Sequence, residues 1–201
     1  GRADVTDAER VDQPVQRHRE VRQPHGTPRQ RLDQARHDAR RRPAQAVEHV
    51  ARFGKPMIVS TGMNDIPSIK RTVAILRKHK VPFALLHCTN IYPTPWNRVY
   101  LQAVTKLRKA FPDAVVGLSN HSQGPWAALG AVALGASVLE RHFTSDRTWK
   151  GEDIPVSMDP QELKMVIKGS RAIWESRGDH KGPLKEEKPT IDFAFASVVT
   201  I

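Results

Sequence analysis

The chain has 201 residues, of which 39% are hydrophobic and 26% charged, and its formal net charge is +11. These values are typical of a soluble globular protein with one domain or two small ones. They exclude an internal disulfide framework, since Cys88 is the single cysteine. No apolar run reaches the roughly 18–20 residues of a membrane span, and no secretory signal follows Gly1, so we expect a cytoplasmic protein.

Residues 1–45 differ in composition from the rest of the chain. They contain eleven Arg and no Lys, and Leu32 is their single large aliphatic residue besides valine. Three interpretations are open: a basic arm that binds nucleic acid, a disordered tail or solvated helix, and the product of a shifted reading frame. Nucleic-acid binding is disfavoured because seven acidic residues are interspersed with the arginines and no aromatic residue accompanies them.

From residue 46 onwards, short apolar runs alternate with helical patterns. Residues 56–60 predict a buried strand, and Asp65 predicts the N-cap of a helix with Pro67 in its first turn. That helix is expected to continue through Val73, Ile75, Leu76 and Lys80. Residues 83–87 predict the second strand and 97–110 the second helix.

Two further units follow in the same rhythm. Residues 114–118 and 137–143 predict strands, and residues 124–135 and 160–176 predict the helices after them. Four such units predict an α/β fold with parallel strands, either a doubly wound sheet or half of a (β/α)8 barrel. We divide the chain into a head (1–45), a partial barrel (46–178) and a linker with an apolar, truncated tail (179–201).

Polar residues follow each predicted strand. Because the carboxyl ends of parallel strands meet at one edge, these residues should form one rim where a ligand binds. The residues of this predicted rim are Ser60, the segment 87–95, the segment 119–122 and the segment 140–142.

Two histidines and a carboxylate of this rim predict a metal site. Glu140 and His142 are two residues apart in a strand, so they share the inward face while Arg141 points outward. His121 comes from the neighbouring strand end. Such a set suits Mn, Fe or Zn with open coordination positions; the alternative is that the histidines are hydrogen-bonded core residues. Cys88 is predicted to be a buried strand residue and not a nucleophile.

Six segments together carry a family resemblance. They are FGKPMIVSTGM (53–63), LLHCTNIYPTP (85–95), FPDAVVGLSNHS (111–122), GAVALGASVLERHFT (130–144), GEDIPVSM (151–158) and EKPTIDFAFASVV (187–199). In this order and spacing the chain resembles the N-acetylneuraminate (sialic acid) synthases, which are TIM barrels that condense phosphoenolpyruvate. The segments HCTNIYPTP and LERHFT are the most specific.

The resemblance implies a reaction and a set of site residues. Carbon 3 of phosphoenolpyruvate attacks the aldehyde of N-acetylmannosamine, water adds at carbon 2, and phosphate leaves by C–O cleavage. A divalent ion, Mn with Mg or Co as alternatives, polarises the aldehyde. The matching positions are His121 and His142 for the metal, Ser60, Asn90, Tyr92 and Ser119 for phosphoenolpyruvate, Glu140 beside metal and substrate, and Asp153 and Phe193 at the sugar. The resemblance also implies a homodimer, since the family is usually dimeric with swapped C-terminal domains; the oligomeric state of this chain stays open.

The chain departs from the family pattern in four places. The Lys, Ser and Glu of an earlier barrel strand should lie near residues 35–41, where this chain has none of that motif. The family's first strands and its C-terminal antifreeze-like domain also have no counterpart. Asn120 stands where Asp is expected, which predicts weaker support for His121.

These departures favour the shifted reading frame for the head, since family sequence begins abruptly near Glu48. A half-barrel should fold poorly or associate, because it exposes two sheet edges. Two alternatives to the N-acetylmannosamine reaction remain. One is condensation with an amino sugar of the legionaminic or pseudaminic type. The other is a non-catalytic fragment that binds nucleic acid through the basic head.

Overall fold

The computed structural model describes residues 44–196, together with Thr27 and Arg29. The chain divides between Pro43 and Ala44. The three interpretations of the head, the missing motif at 35–41 and the last residues of the predicted tail therefore lie outside the described residues, and they stay predictions.

Four parallel strands alternate with helices. A first helix, α1, covers residues 44–51. The elements that follow are β1 (Met57–Ser60), α2 (Ile66–Lys78), β2 (Phe83–Cys88), α3 (Gln102–Ala110), β3 (Val115–Ser119), α4 (Trp126–Ala133), β4 (Val138–Glu140), α5 (Pro160–Glu175) and α6 (Lys188–Ala196). All pairs in the sheet are parallel, in the order β1-β2-β3-β4. The predicted half-barrel of βα units is confirmed.

Several predicted elements are longer than the observed ones; the helix predicted over 124–135, for example, is observed as α4 at Trp126–Ala133. The helix α2 ends at Lys78, because Lys80 takes a positive φ of 54° that no α-helix tolerates. The helix predicted over 97–110 is a short 3-10 helix at Trp96–Arg98 followed by α3, and Tyr100 between them has a φ of 52°. The strand predicted over 137–143 keeps ladder pairing only through Glu140.

The two faces of the sheet carry different residues, as strand alternation requires. On one face, Val59, Leu85 and Leu118 pack with the helices in the main hydrophobic core. The fully buried side chains of that core from the helices and loops include Val73, Val104 and Phe111. Ser60, Cys88, Ser119 and Glu140 lie at the opposite parity, so they belong to the other face.

The strand register brings the carboxyl ends together. Ser60 pairs with Leu86, while Ser119 pairs with both Cys88 and Glu140. The predicted rim is therefore confirmed for the residues that end β2, β3 and β4. Asp65 is the N-cap of α2, as predicted, and its carboxylate accepts from the backbone N–H of Ser68. Within residues 44–196, no helix combines the length and the apolar character needed to span a membrane.

His87 makes the stability of this fold depend on pH. Its ring lies on the helix side of β2, where Nε2 donates to the carbonyl of Val99 at 2.6 Å. Burial lowers the pKa of His87 and outweighs that hydrogen bond. Because the folded pKa is the lower one, the unfolded chain binds more protons below its own pKa of about 6.5. The free energy of unfolding should therefore fall as the pH decreases below that value.

The variant His87→Gln isolates this contribution, since the amide can still donate to Val99 while it cannot titrate. We expect urea unfolding to show a smaller loss of stability between pH 7.5 and pH 5.5 in the variant than in the parent chain. Equal pH dependence in the two chains would contradict the assignment to His87.

Candidate active site

His121 and His142 lie side by side at the rim, with ring centroids 5.4 Å apart and planes tilted by 45°. The ring of His121 is buried, and its Nδ1 lies 3.0 Å from the carbonyl oxygen of Thr89. A carbonyl only accepts, so Nδ1 carries the proton, and the neutral ring keeps a lone pair on Nε2. The backbone just after β2 thus holds His121 in the tautomer that could bind a metal.

His142 lies beside Asp153. Its Nδ1 lies 3.6 Å from an Asp153 carboxylate oxygen, at the distance of an ion pair rather than a hydrogen bond. The backbone of His142 is also fixed, because its carbonyl accepts from the N–H of Met158 at 2.8 Å. The structure therefore brings Asp153, predicted at the sugar, next to a predicted metal ligand.

Tyr92 covers the histidine pair. Its ring stacks on His121 with a centroid distance of 3.9 Å and lies 6.0 Å from the ring of His142. Desolvation raises the pKa of the Tyr92 phenol, and the negative charges of Asp153 and Glu140 add to this. The phenol therefore stays protonated at neutral pH and is able to donate a hydrogen bond at the rim.

Ser119 and Glu140 form a hydrogen-bonded pair on the same face. The buried Ser119 hydroxyl donates to a Glu140 carboxylate oxygen at 2.8 Å, while Glu140 itself is exposed. One carboxylate oxygen is thereby fixed, and the carboxylate remains open to a ligand or a proton.

Ser60 and Asn90 occupy the exposed part of the rim near β1. The hydroxyl oxygen of Ser60 is 3.5 Å from the N–H of Gly62, a weak hydrogen bond. Asn90 lies directly against Gly62, so closely that a β-carbon there would overlap its side-chain oxygen. The glycine is needed for this close approach.

The variant Gly62→Ala should therefore displace Asn90 and leave the core unchanged. If Asn90 holds phosphoenolpyruvate, we expect the dissociation constant of phosphoenolpyruvate to rise about 10-fold in this variant. That is the effect of losing one hydrogen bond to a charged ligand. Calorimetric titration with phosphoenolpyruvate measures this, and Gly178→Ala is the matched control because no atom lies within 4 Å of its added β-carbon. Unchanged phosphoenolpyruvate binding by Gly62→Ala would show that Asn90 does not bind this ligand.

The segment 89–94 is tied to the segment that carries His121. The N–H of Thr94 donates to the His121 carbonyl at 3.1 Å, and its hydroxyl donates to the Ile91 carbonyl at 2.6 Å. Thr94 is buried, and the Tyr92–Pro93 peptide bond is cis. These contacts hold Tyr92 over the histidines.

Asn120 bonds within its own turn, and the weaker support for His121 that it predicts stays a prediction. Its side-chain oxygen accepts from the N–H and the hydroxyl of Ser122 within its own turn. The observed support for His121 comes from the Thr89 carbonyl, which sequence reasoning missed because every residue carries such a group. Cys88 is buried, as predicted, with its sulfur 3.9 Å from Nδ1 of His121.

The donor set fits a divalent ion in part. Two imidazoles bound to one tetrahedral ion through nitrogens at about 2.1 Å have ring centres about 5 Å apart, close to the observed 5.4 Å. Both Nδ1 atoms face oxygen partners, which leaves both Nε2 atoms for the ion. Among residues 44–196, however, no three His, Cys, Asp or Glu side chains are already arranged as ligands. Substrate or water would have to complete the coordination.

Phe193 follows the four βα units along the chain. It belongs to α6, and 75% of its side chain is exposed. Its position at the sugar stays a prediction, whereas the structure gathers His121, His142, Tyr92 and Asp153 into one cluster.

Comparison with known proteins adds family evidence to this geometry. The sequence profile of the NeuB family matches residues 41–182. The human N-acetylneuraminate-9-phosphate synthase is 37% identical over 71% of this chain and 39% of its own length. The N,N'-diacetyllegionaminic acid synthase of Campylobacter jejuni is 40% identical over 76% of this chain and 47% of its own length. The chain thus spans less than half the length of these relatives.

Solved structures give the same picture for the fold. The sialic acid synthetase of Leptospira borgpetersenii, crystallised with citrate, matches with a TM-score of 0.68 and 33% identity, over 76% of this chain and 53% of that one. The spore coat polysaccharide biosynthesis protein spsE of Bacillus subtilis matches with a TM-score of 0.65 and 33% identity, over 71% of this chain and 41% of that one.

Proposed function

The chain belongs to the NeuB family, and on that premise we propose that it carries the histidine-bearing half of a site that condenses phosphoenolpyruvate with an amino sugar. In this reaction carbon 3 of phosphoenolpyruvate bonds to the sugar aldehyde carbon, water adds at carbon 2, and the C–O bond to phosphate breaks. The observation that carries the proposal is the His121–His142 pair, 5.4 Å apart beneath Tyr92.

The residues of the rim suit the groups that this reaction brings together. His121 and His142 would hold a divalent ion, Mn with Mg or Co as alternatives, and the bound ion would polarise the aldehyde oxygen. Ser60, Asn90 and the Tyr92 phenol offer donors to carboxylate and phosphate oxygens. Glu140, fixed by Ser119, is the carboxylate able to exchange a proton with the attacking water or the sugar.

The identity of the sugar is part of the proposal. We favour N-acetylmannosamine, and the Campylobacter relative keeps a diamino sugar as the alternative. The name of the human relative adds a third substrate. Phosphoenolpyruvate supplies carbons 1–3 of the product, so a phosphate at carbon 9 must come from carbon 6 of the sugar. A phosphorylated N-acetylmannosamine therefore belongs in the assay.

The experiment supplies the remaining barrel and measures phosphate release from phosphoenolpyruvate by the completed protein, in ¹⁸O-labelled water with Mn²⁺ and each of the three sugars. We expect sugar-dependent release of unlabelled phosphate, because C–O cleavage leaves the water oxygen in the sugar acid. Labelled phosphate, or release without sugar, would indicate plain hydrolysis and overturn the proposal.

A chimera tests the half-site when the remaining barrel is supplied. Residues 46–196 replace the matching part of the Leptospira synthetase, and the same assay is run on that protein. We expect condensation by the chimera and its loss in a chimera with His142→Ala. A folded chimera with no condensation would reject the assignment for this chain.

A further inference from the structure

Arg141 lies between two site residues but faces the other way. Glu140 and His142 belong to the inward face, whereas Arg141 points towards α5 and lines a cavity of about 500 Å³ with Leu139, Met158 and Ser170. It is half-buried, as the prediction of an outward side chain allows. No reaction step described above uses it.

Its guanidinium binds the segment that follows His121. Nη2 donates to the carbonyl of Ser122 at 3.0 Å, and Nη1 donates to the carbonyl of Gly124 at 2.9 Å. Two carbonyls that lie two residues apart thus meet the two ends of one planar fork, a geometry that a lysine cannot reproduce.

These bonds begin where the strand ladder stops. The last backbone bond between the two segments joins the N–H of Asn120 to the carbonyl of Glu140 at 3.0 Å. Beyond it, the Arg141 side chain continues the link between the end of β4 and residues 122–124. His121 is held from the β2 side by the Thr89 carbonyl, so Arg141 supplies the tie on the β4 side.

Burial of a neutral side chain at position 141 would cost less free energy than burial of the arginine. The guanidinium of Arg141 is half-buried, and burying a charge costs stability. Within the described part of the chain its Nε is buried without a hydrogen-bond partner, which also costs stability. The two hydrogen-bond partners of Arg141 are neutral backbone carbonyls. An ion pair with an acidic side chain therefore does not explain why a charged residue stands here.

We propose that Arg141 is a positioning residue that holds residues 122–124 against the end of β4 and thereby sets the spacing of His121 and His142. This inference rests on the proposed function in one respect, namely that the two histidines share a divalent ion. Arg141 itself touches neither the ion nor the substrate.

The test is the affinity of the 201-residue chain for Mn²⁺ alone, measured by electron paramagnetic resonance of the free ion. We expect Arg141→Lys to weaken binding about 10- to 100-fold, the range for residues that orient metal ligands. The matched control is Arg177→Lys. Arg177 also donates to a backbone carbonyl, that of Val132, but lies away from the segment after His121. Its variant should bind Mn²⁺ as the parent chain does.

Three further results decide the inference. If His142→Ala loses Mn²⁺ while Arg141→Lys binds it normally, the positioning role is wrong and the proposed function stands. If His142→Ala binds Mn²⁺ normally, the shared ion is wrong. Should Arg141→Lys unfold, Arg141→Gln takes its place, since an amide can keep one carbonyl bond without a buried charge; unfolding of both would make Arg141 a determinant of the fold and overturn the positioning role.

Discussion

Replacing His142 by alanine should lower the affinity of the chain for Mn²⁺ by more than about 100-fold, since the loss of a ligand exceeds the 10- to 100-fold effect of losing a group that orients one. The side chain is partly exposed and pairs only loosely with Asp153, at 3.6 Å. Its removal should therefore leave the fold intact. Titration with Mn²⁺ and a urea unfolding curve of the same sample separate the two effects.

The matching change at His121 needs a more conservative residue, because this ring is buried and bonded to Thr89. In His121→Asn the side-chain amide reaches the position of Nδ1 and can still donate to the carbonyl, while the atom corresponding to Nε2 is gone. We expect the same loss of Mn²⁺ binding as in His142→Ala.

A partly buried histidine away from the rim provides the control for both variants. His79 lies at the end of α2 and contacts Glu48 at 2.7 Å, away from the rim. His79→Ala should bind Mn²⁺ as the parent chain does. Equal weakening in all three variants would mean that Mn²⁺ binds histidines nonspecifically, and retention of binding in His142→Ala and His121→Asn would remove the predicted metal site.

Gly117→Ala should strongly destabilise the fold. A β-carbon at Gly117 would overlap the backbone carbonyl of Val138 and come within 2.6 Å of a methyl group of Leu86. The carbonyl belongs to the paired strand β4, with which Gly117 is in register, so the clash is relieved only by moving backbone. Overpacking that shifts side chains and backbone costs about 1–3 kcal/mol, and we expect the upper end of this range or more.

Urea unfolding measures this loss, and Gly178→Ala is the control because the added β-carbon meets no atom within 4 Å. The displacement of β4 should also reach Glu140 and its hydrogen bond with Ser119. A Gly117→Ala chain as stable as the Gly178→Ala chain would show that β3 and β4 are not packed as closely as described.

The order of strands and helices could be predicted from local sequence. Buried parallel strands read as short apolar runs, and Asp65 before Pro67 marks a helix start, because both signals depend on neighbouring residues alone. Strand alternation also placed Glu140 and His142 together, and a family resemblance assigned the polar residues of the rim. The boundaries failed where one residue takes an unusual backbone angle, as Lys80 and Tyr100 do.

The tertiary structure decided what holds the site residues in place. The Thr89 carbonyl selects the tautomer of His121, and Arg141 joins the carbonyls of Ser122 and Gly124 to β4. Sequence patterns cannot predict these bonds, because every residue has the same carbonyl group. The partner of a given carbonyl depends on how segments far apart in the chain pack together. The sequence by itself thus determined which side chains reach the rim, and only the packing of β2, β3 and β4 determined their spacing and orientation.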